Sequence, residues 1–191
     1  MGELRIVAGA WRGRRIAVPR GAVRPTADRV REAWMSIVAP ALDGARILDL
    51  CAGSGALGLE ALSRGAVHAD FVERDPKVLP TLRANLVALG AEGRATVHRS
   101  EAVRFLAAEA GPVPAEVPGA PRPRWDVAFA DPPYHQGTAV ALAERWLRAP
   151  FAAIFGIEHE AALTLPEAVA PATSDRRSYG DTALTIYRTG P

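Results

Sequence analysis

An acid, two prolines and a tyrosine in a row form the clearest chemical pattern in this chain. Residues 131–134 read Asp-Pro-Pro-Tyr and directly follow the apolar segment 127–130. A carboxylate and the carbonyl of a conformationally fixed proline can accept both N–H groups of an aromatic amine, while the tyrosine ring stacks on the base. The pattern therefore predicts transfer of a group to an exocyclic amine, with Asp131 and Pro132 holding the amine and Tyr134 stacking on the base.

A glycine-rich segment earlier in the chain predicts a nucleotide-like ligand. The apolar segment 46–50 leads into Cys-Ala-Gly-Ser-Gly-Ala-Leu-Gly at residues 51–58, which is typical of a strand, a glycine turn and a helix start. Gly53 and Gly55 allow a sharp turn and a close ligand approach, because they carry no Cβ. Glu73 lies 20 residues beyond Gly53, at the end of the next predicted strand, where a carboxylate can accept hydrogen bonds from ribose hydroxyls.

Two cofactors use such a turn, and NAD is the rival to S-adenosylmethionine. Residues 53–58 satisfy the G-x-G-x-x-G pattern of NAD-binding folds, so an NAD-dependent oxidoreductase stays an alternative. An anionic Asp49 near the turn suits the cationic amino acid part of S-adenosylmethionine better than a pyrophosphate. The chain is also short for a dehydrogenase. We expect S-adenosylmethionine to bind here, with Glu101, at the start of a predicted helix, receiving the adenine amino group.

Short apolar segments alternate with helical patterns from residue 45 onward. This alternation is typical of a parallel sheet with helices on both faces. We predict an α/β, Rossmann-like fold with a mostly parallel seven-stranded sheet and a small N-terminal β-hairpin extension. The predicted strands are 46–50, 67–73, 95–98, 125–130, 152–158, 174–179 and 182–188, and the predicted helices are 56–64, 76–89, 101–109 and 138–148. The proline-rich residues 111–124 are predicted to form a loop.

Composition excludes several classes of protein. The 191 residues are 49% hydrophobic, which is ample for one continuous core. No segment approaches the ~20 apolar residues of a membrane helix and no signal peptide is recognisable, so we expect a cytoplasmic protein with no membrane partner. Cys51 is the single cysteine, which excludes an internal disulfide and a multi-cysteine metal site. The histidines show no metal-ligand spacing, so no metal is expected.

The first part of the chain is strongly basic. Residues 1–31 hold eight arginines against Glu3 and Asp28, a net charge of +6, which favours a nucleic-acid partner over a merely solvated arm. Residues 5–9 and 15–19 predict a hairpin with an exposed Trp11 near its tip, followed by a helix over 26–38. We expect residues 1–40 to form an RNA-contacting extension and residues 41–191 to form the catalytic domain.

These motifs together resemble the RsmD family of bacterial methyltransferases, which act on guanine N2 in 16S ribosomal RNA. The resemblance rests on residues 5–14, 24–32, 49–62, 131–134 and 179–182. It implies a class I methyltransferase fold and a 16S rRNA or small-subunit partner, as an assembling 30S particle. By the same resemblance Gly53, Gly55 and Glu73 bind S-adenosylmethionine, Glu101 faces its adenine, Asp131 and Tyr134 hold the guanine, and RNA is gripped by Trp11, Arg12, Arg14, Arg24 and Arg29.

Other functions share the same residues. Amino-methyltransferases for DNA adenine, DNA cytosine or a protein glutamine also use an acid or amide before Pro-Pro-aromatic. The absence of a large target-recognition region disfavours DNA. A non-catalytic RNA-binding assembly factor is the alternative from another class, and the intact Asp131 and Tyr134 argue against it. A monomer is expected.

Overall fold

The computed structural model describes residues 2–19, 25–109, 123–134 and 137–190. Its strands are β1 Gly2–Arg5, β2 Arg15–Val18, β3 Arg46–Leu50, β4 His68–Glu73, β5 Ala95–Arg99, β6 Trp125–Ala130, β7 Ala152–Glu160, β8 Thr173–Tyr179 and β9 Thr182–Arg188. Its helices are α1 Pro25–Val38, α2 Ala56–Ser63, α3 Leu79–Leu89, α4 Ala102–Ala108 and α5 Thr138–Arg148. Among the residues so described, no helix is both long and apolar enough to cross a membrane.

A seven-stranded sheet in the order β5-β4-β3-β6-β7-β9-β8 forms the centre of the molecule. The strands from β5 to β7 are parallel, and β9 is antiparallel to both β7 and β8. A separate two-stranded sheet, β1 with β2, forms the N-terminal hairpin. This arrangement confirms the predicted α/β architecture. It also brings the carboxyl ends of β3, β4, β6 and β7 to one edge, where a ligand site is expected in an open parallel sheet.

Alternate residues of each central strand enter two separate cores, one on each face of the sheet. Ile47 packs with residues of α1, α2 and α3, whereas its neighbour Leu48 packs with residues of α4 and α5. Val127 and Ala128 of β6 divide in the same way. Such strands are buried on both sides, so they appear in the sequence as apolar runs rather than as alternating patterns.

Most predicted elements are confirmed to within one or two residues, and α3 is the clearest exception. It begins at Leu79 instead of residue 76. The Asp75 side chain accepts the N–H of Lys77 at 2.8 Å, and the Asp75 carbonyl accepts the N–H of Val78 at 3.1 Å. These bonds hold residues 75–78 in a turn before the helix. Residues 111–122 of the predicted proline-rich loop 111–124 lie outside the described residues.

The predicted position of the first hairpin strand was wrong. The structure pairs Gly2–Arg5, rather than residues 5–9, with Arg15–Val18. The reason is competition for backbone groups. The N–H groups of Val7 and Ala8 donate to the buried Glu60 carboxylate of α2 at 2.9 and 3.0 Å, so this segment is fixed by the helix instead of by a partner strand.

The predicted exposure of Trp11 was also wrong. Its side chain is only 9% exposed and belongs to the core shared by α1, α2 and α3. Its backbone N–H donates to Ser63 Oγ at 2.9 Å, and the guanidinium of Arg94 lies 4.9 Å from the centre of its ring. Trp11 therefore anchors the hairpin to the body of the protein, and its ring is not a free surface for stacking on RNA.

Candidate active site

Glu73 holds the glycine turn in place at the end of β4. Its Oε2 accepts the N–H of Gly53 at 2.8 Å, and its Oε1 accepts the N–H of Asp75 at 2.8 Å. Each carboxylate oxygen has a second lone pair for another donor. The side chain also lines a cavity at the carboxyl edge of the sheet. Glu73 can therefore shape the turn and accept ligand hydroxyls with the same carboxylate.

The two predicted cofactor glycines have different physical roles. Gly53 has a φ of +54°, and a Cβ added there would meet nothing within 4 Å, so this backbone stays open to a ligand. Gly55 has a φ of +84°, but a Cβ added there would lie 2.5 Å from Leu82 Cδ1 of α3. Gly55 is required for the close packing of the turn against α3, and Gly53 is the one that faces open space.

Asp49 is a buried acid at the carboxyl edge of β3. Its Oδ2 accepts the N–H of Gly58 in α2 at 2.9 Å. Burial raises the pKa of Asp49 to about 8, with Asp131 and Glu73 adding to the rise and the Gly58 N–H opposing it. Without a cation beside it, Asp49 therefore favours the protonated form at neutral pH. A cation bound beside it would favour the ionised form.

The first cavity brings three of the predicted acids together. It is lined by Glu73, Glu101 and Asp131, with Ser100 and Thr138 beside them. Glu101 stands immediately before α4 and caps it by accepting the N–H of Arg104 at 2.9 Å. These carboxylates can accept hydrogen bonds from hydroxyl and amino groups, and the sequence prediction that they share one site is supported.

A second cavity lies on the side of the sheet that packs against α1. Asp49, Gly53 and Asp131 line it, as does Glu158 of β7. Asp131 also lines the first cavity, so it stands between the two. The sequence analysis missed Glu158 because its acid lies within a strand and follows no motif; only the sheet register brings it to the site.

Tyr134 is fixed beside a third cavity by a bond across the sheet. Its hydroxyl lies 3.0 Å from Thr182 Oγ1 at the start of β9. Pro132 and Tyr134 line this cavity together with Glu158 and His159. This contact gives a physical role to Thr182 in the segment 179–182, which the sequence analysis noted only as part of a family resemblance.

His159 supports the floor of the third cavity. Its Nδ1 lies 2.8 Å from the carbonyl oxygen of Glu160, and its Nε2 lies 2.8 Å from Thr185 Oγ1. Burial lowers the pKa of His159, so the ring is neutral. Nδ1 then donates to the carbonyl, and Nε2 accepts the Thr185 hydroxyl. This histidine positions β7 against β9.

Cys51 is surrounded by the acids of the site. Burial raises the pKa of its thiol to about 12, and four carboxylates contribute further in the same direction. These carboxylates are Glu73, Asp131, Asp49 and Glu101. The thiol is therefore not a nucleophile, since the thiolate is the reactive form. The four predicted acids converge around the end of β3.

The structure describes three of the four arginines that were predicted to contact RNA. Arg12 is exposed in the hairpin turn, and Arg29 is exposed on α1. Arg14 is exposed as well, but it donates to the carbonyl oxygen of Ala88. Arg24 lies outside the described residues. Within the part of the chain that the structure describes, no group of three or more His, Cys, Asp or Glu side chains is arranged so that it could hold a metal ion.

Similarity to known proteins extends over nearly the whole chain. The family model described as conserved hypothetical protein 95 matches residues 4–188. A candidate rRNA methyltransferase of Bacillus subtilis strain 168, YlbH, is 36% identical over 97% of this chain and 98% of that protein. Ribosomal RNA small subunit methyltransferase D of Escherichia coli strain K12 is 44% identical, over 71% of this chain and 63% of its own length. The chain belongs to the RsmD family.

Structural similarity agrees with membership in the RsmD family. The solved structure of yhhF, a candidate methyltransferase from Escherichia coli, is 35% identical and superposes with a TM-score of 0.81. The superposition covers 99% of this chain and 99% of that one. The N-terminal hairpin and the complete sheet therefore lie within the region shared with that protein.

RsmD-family enzymes depend on S-adenosylmethionine, and the site described above fits this cofactor. The first cavity offers Glu73 and Glu101 as acceptors for ribose hydroxyls and an adenine amine. Gly53 offers an open backbone, and Asp49 offers a carboxyl that a neighbouring cation would ionise. Glu73, Glu101 and Asp131 outnumber Arg74 in the lining of the first cavity, so this site suits a cationic ligand better than the pyrophosphate of NAD.

Proposed function

We propose that this RsmD-family methyltransferase modifies the exocyclic N2 amine of one guanine in 16S ribosomal RNA. The observation that carries the proposal is the position of Asp131. It lines both the acidic cavity suited to the cofactor and the second cavity on the α1 side, and Pro132 and Tyr134 line a third. An amine held at Asp131 would therefore meet the cofactor with its ring against Tyr134.

Asp131 and Pro132 would prepare the amine for reaction. The lone pair of an aromatic amine is delocalised into its ring, which makes the nitrogen a weak nucleophile. The Asp131 carboxylate and the Pro132 carbonyl can each accept one N–H, and this pair of bonds draws the nitrogen toward tetrahedral geometry. The fixed φ of proline keeps the carbonyl in position. S-adenosylmethionine supplies the electrophilic methyl group when it is bound.

Tyr134 would orient the base for this reaction. Its hydroxyl is held by Thr182, so the ring offers a defined stacking surface. Stacking of a base on an aromatic side chain contributes ~1–3 kcal/mol in single-stranded sites. Alignment of amine and methyl can supply up to ~7–11 kcal/mol of the barrier. The proton on the nitrogen can leave after transfer, so these residues need not include a strong base.

The target guanine must be unstacked to reach this site. Sequence-specific recognition of RNA usually involves unpaired loops, where displacing a base costs only a few kcal/mol. The exposed Arg12, Arg14 and Arg29 of residues 1–40 provide a basic surface for RNA phosphates. We propose an assembling 30S particle as the substrate, a cytoplasmic location and a monomeric enzyme.

Transfer of radiolabelled methyl groups tests this function against its rivals. The acceptors are small ribosomal subunits that lack modification, free 16S rRNA, DNA and total protein, each incubated with the enzyme and labelled S-adenosylmethionine. We expect label in the subunit RNA. Label in DNA or in protein glutamine would show that the protein is an amino-methyltransferase of another substrate class. No label in any acceptor would support a non-catalytic assembly factor.

A further inference from the structure

Glu158 lies beside Asp131 at the carboxyl edge of the sheet. Ala130, the last residue of β6, pairs with Ile157 of β7, and Asp131 and Glu158 are the residues that directly follow this pair and line the second cavity together. Residues at the same position of neighbouring strands project to the same face, and such strands lie ~4.8 Å apart. The two acids therefore form a pair on the α1 side of the sheet.

Glu158 also lies between the second and the third cavities. It lines the second cavity with Asp131 and Trp34, and it lines the third cavity with Pro132 and Tyr134. Among the described residues, no other lines both. A base that stacks on Tyr134 and places its amine at Asp131 must therefore present an adjoining edge to Glu158.

Guanine, adenine and cytosine each carry an exocyclic amine, and they differ in whether the ring nitrogen beside that amine is a hydrogen-bond donor or an acceptor. Guanine has the N1–H donor beside its N2 amine. Adenine has the N1 acceptor beside its N6 amine, and cytosine has the N3 acceptor beside its N4 amine. An ionised carboxylate only accepts hydrogen bonds. At this position it would bind guanine and would repel the other two bases.

We propose that Glu158 determines the specificity of this enzyme for guanine by accepting the N1–H of the target base. The inference rests on the proposed function, because it assumes that the amine is held by Asp131. It assigns a separate role to each acid: Asp131 holds the reacting amine, and Glu158 reads the neighbouring ring atom. A carboxylate has about four lone-pair sites, so other contacts of Glu158 are compatible with this role.

The test compares two bases at the same position. Small-subunit particles are reconstituted with either guanine or 2-aminopurine at the methylated nucleotide. Both bases carry the 2-amine, but 2-aminopurine has an unprotonated N1. The preference ratio is the kcat/KM for guanine divided by that for 2-aminopurine, measured by methyl transfer. We expect the wild-type ratio to be roughly 10 to 100, since one specific base contact gives discrimination of that size.

Substitution of Glu158 should change the ratio and not merely the rate. Glu158→Ala removes the acceptor for the N1–H of guanine. We therefore expect its preference ratio to be lower than the wild-type ratio by roughly tenfold or more. Glu158→Gln can donate to the N1 of 2-aminopurine, so its ratio should also fall. Guanine also differs from 2-aminopurine by its 6-oxygen. This difference affects the preference ratio of every variant alike, so it cancels when the ratio of a variant is compared with that of the wild type.

Glu144→Ala is the control, because Glu144 is an exposed acid of α5 and lines none of the three cavities described above. Its ratio should equal that of the wild type. Equal losses on both bases in Glu158→Ala would mean a structural role and would overturn the inference, and so would an equal fall of the ratio in Glu144→Ala. If the wild-type enzyme methylates no guanine N2, the proposed function itself fails, which is a distinct result.

Discussion

Substitution of Asp131 should lower the rate of methyl transfer without weakening cofactor binding. The variant Asp131→Ala removes an acceptor for the amine, so we expect kcat to fall by roughly 100-fold or more, the usual loss when one positioned hydrogen-bond partner of the reacting group is removed. Asp131→Asn keeps one acceptor oxygen and should lose less. Calorimetric titration with S-adenosylmethionine should give a dissociation constant within about threefold of the wild-type value. A loss of cofactor affinity as large as the loss of kcat would contradict the assigned role.

Asp49 should make cofactor affinity depend on pH. Its pKa of about 8 means that the carboxyl is protonated at neutral pH before a cation binds. Binding of the cationic cofactor favours the carboxylate and releases a proton, so affinity should rise with pH until about pH 8 and then level off. The Asp49→Asn variant should lack this rise. The ratio of wild-type to variant affinity cancels the titration of the cofactor itself, and a ratio independent of pH would contradict the prediction.

The same acid should affect stability with the opposite trend. The pKa of Asp49 is raised in the folded state from 3.8 to about 8, so the folded state holds a proton that the unfolded state has lost. The free energy of unfolding should therefore fall as pH rises between about 4 and 8. Urea denaturation should show this fall to be smaller in Asp49→Asn than in the wild type. Identical slopes would mean that Asp49 is ionised in the folded protein.

At the scale of elements, Glu60 connects the N-terminal segment to helix α2. It is fully buried, accepts the N–H groups of Val7 and Ala8, and pairs with Arg31 and Arg64 at 3.3 and 2.8 Å. Glu60→Ala would remove the acceptor of the Val7 and Ala8 N–H groups and the carboxylate that Arg31 and Arg64 pair with, and breaking a buried pair costs about 3–5 kcal/mol. We expect that loss in the free energy of unfolding by urea denaturation.

An exposed acid provides the control for Glu60. Glu144→Ala on α5 should change the free energy of unfolding by less than about 0.5 kcal/mol, as surface substitutions usually do. Hydrogen exchange should also show faster exchange at Val7 and Ala8 in Glu60→Ala. Unchanged exchange there would mean that the segment does not depend on Glu60.

The sequence predicted the elements of the main sheet well and the hairpin less well, for a physical reason. Strands such as β3 and β6 are buried on both faces, so their apolar runs are unambiguous. Residues 5–9 also look like a strand, but the N–H groups of Val7 and Ala8 bond to Glu60 of α2, and the Ala8 carbonyl accepts the Ser63 hydroxyl. Contacts between segments about fifty residues apart leave no local pattern, and Trp11 was misplaced for the same reason.

The site shows the same division between local and long-range information. Asp131, Glu73 and Glu101 follow strands directly, so a parallel sheet must bring them to one edge. Glu158 and Thr182 reach the site through the register of β7 and β9, which single-strand patterns do not reveal. The ionisation of Asp49 depends on burial by its surroundings, and therefore it too required the structure.

At the scale of the whole molecule, the uneven charge predicts how RNA binding responds to salt. Arg12 and Arg14 lie in the exposed part of the hairpin turn. Each phosphate contact removed should reduce the slope of log K against log salt by about 0.7 to 0.9. The variant Arg12→Ala/Arg14→Ala should therefore bind 16S rRNA more weakly and with a shallower slope. Filter binding at several salt concentrations measures both quantities.

A matched substitution at a distant site controls for net charge. Arg145→Ala/Arg148→Ala removes two arginines from the last turn of α5. It changes the total charge equally, so affinity should fall only slightly and the slope should stay near the wild-type value. Equal slopes for the two double variants would show that RNA responds to net charge and not to the hairpin.

The most direct test of the account is nucleoside analysis of small ribosomal subunits after methylation by the wild-type enzyme and by Asp131→Ala. The subunits are prepared without modification, methylated, digested to nucleosides and separated by mass spectrometry. The account predicts N2-methylguanosine as the new nucleoside with the wild type, and a yield at least ~100-fold lower in the same time with Asp131→Ala. N6-methyladenosine, N4-methylcytidine or a methylated protein as the product would contradict it.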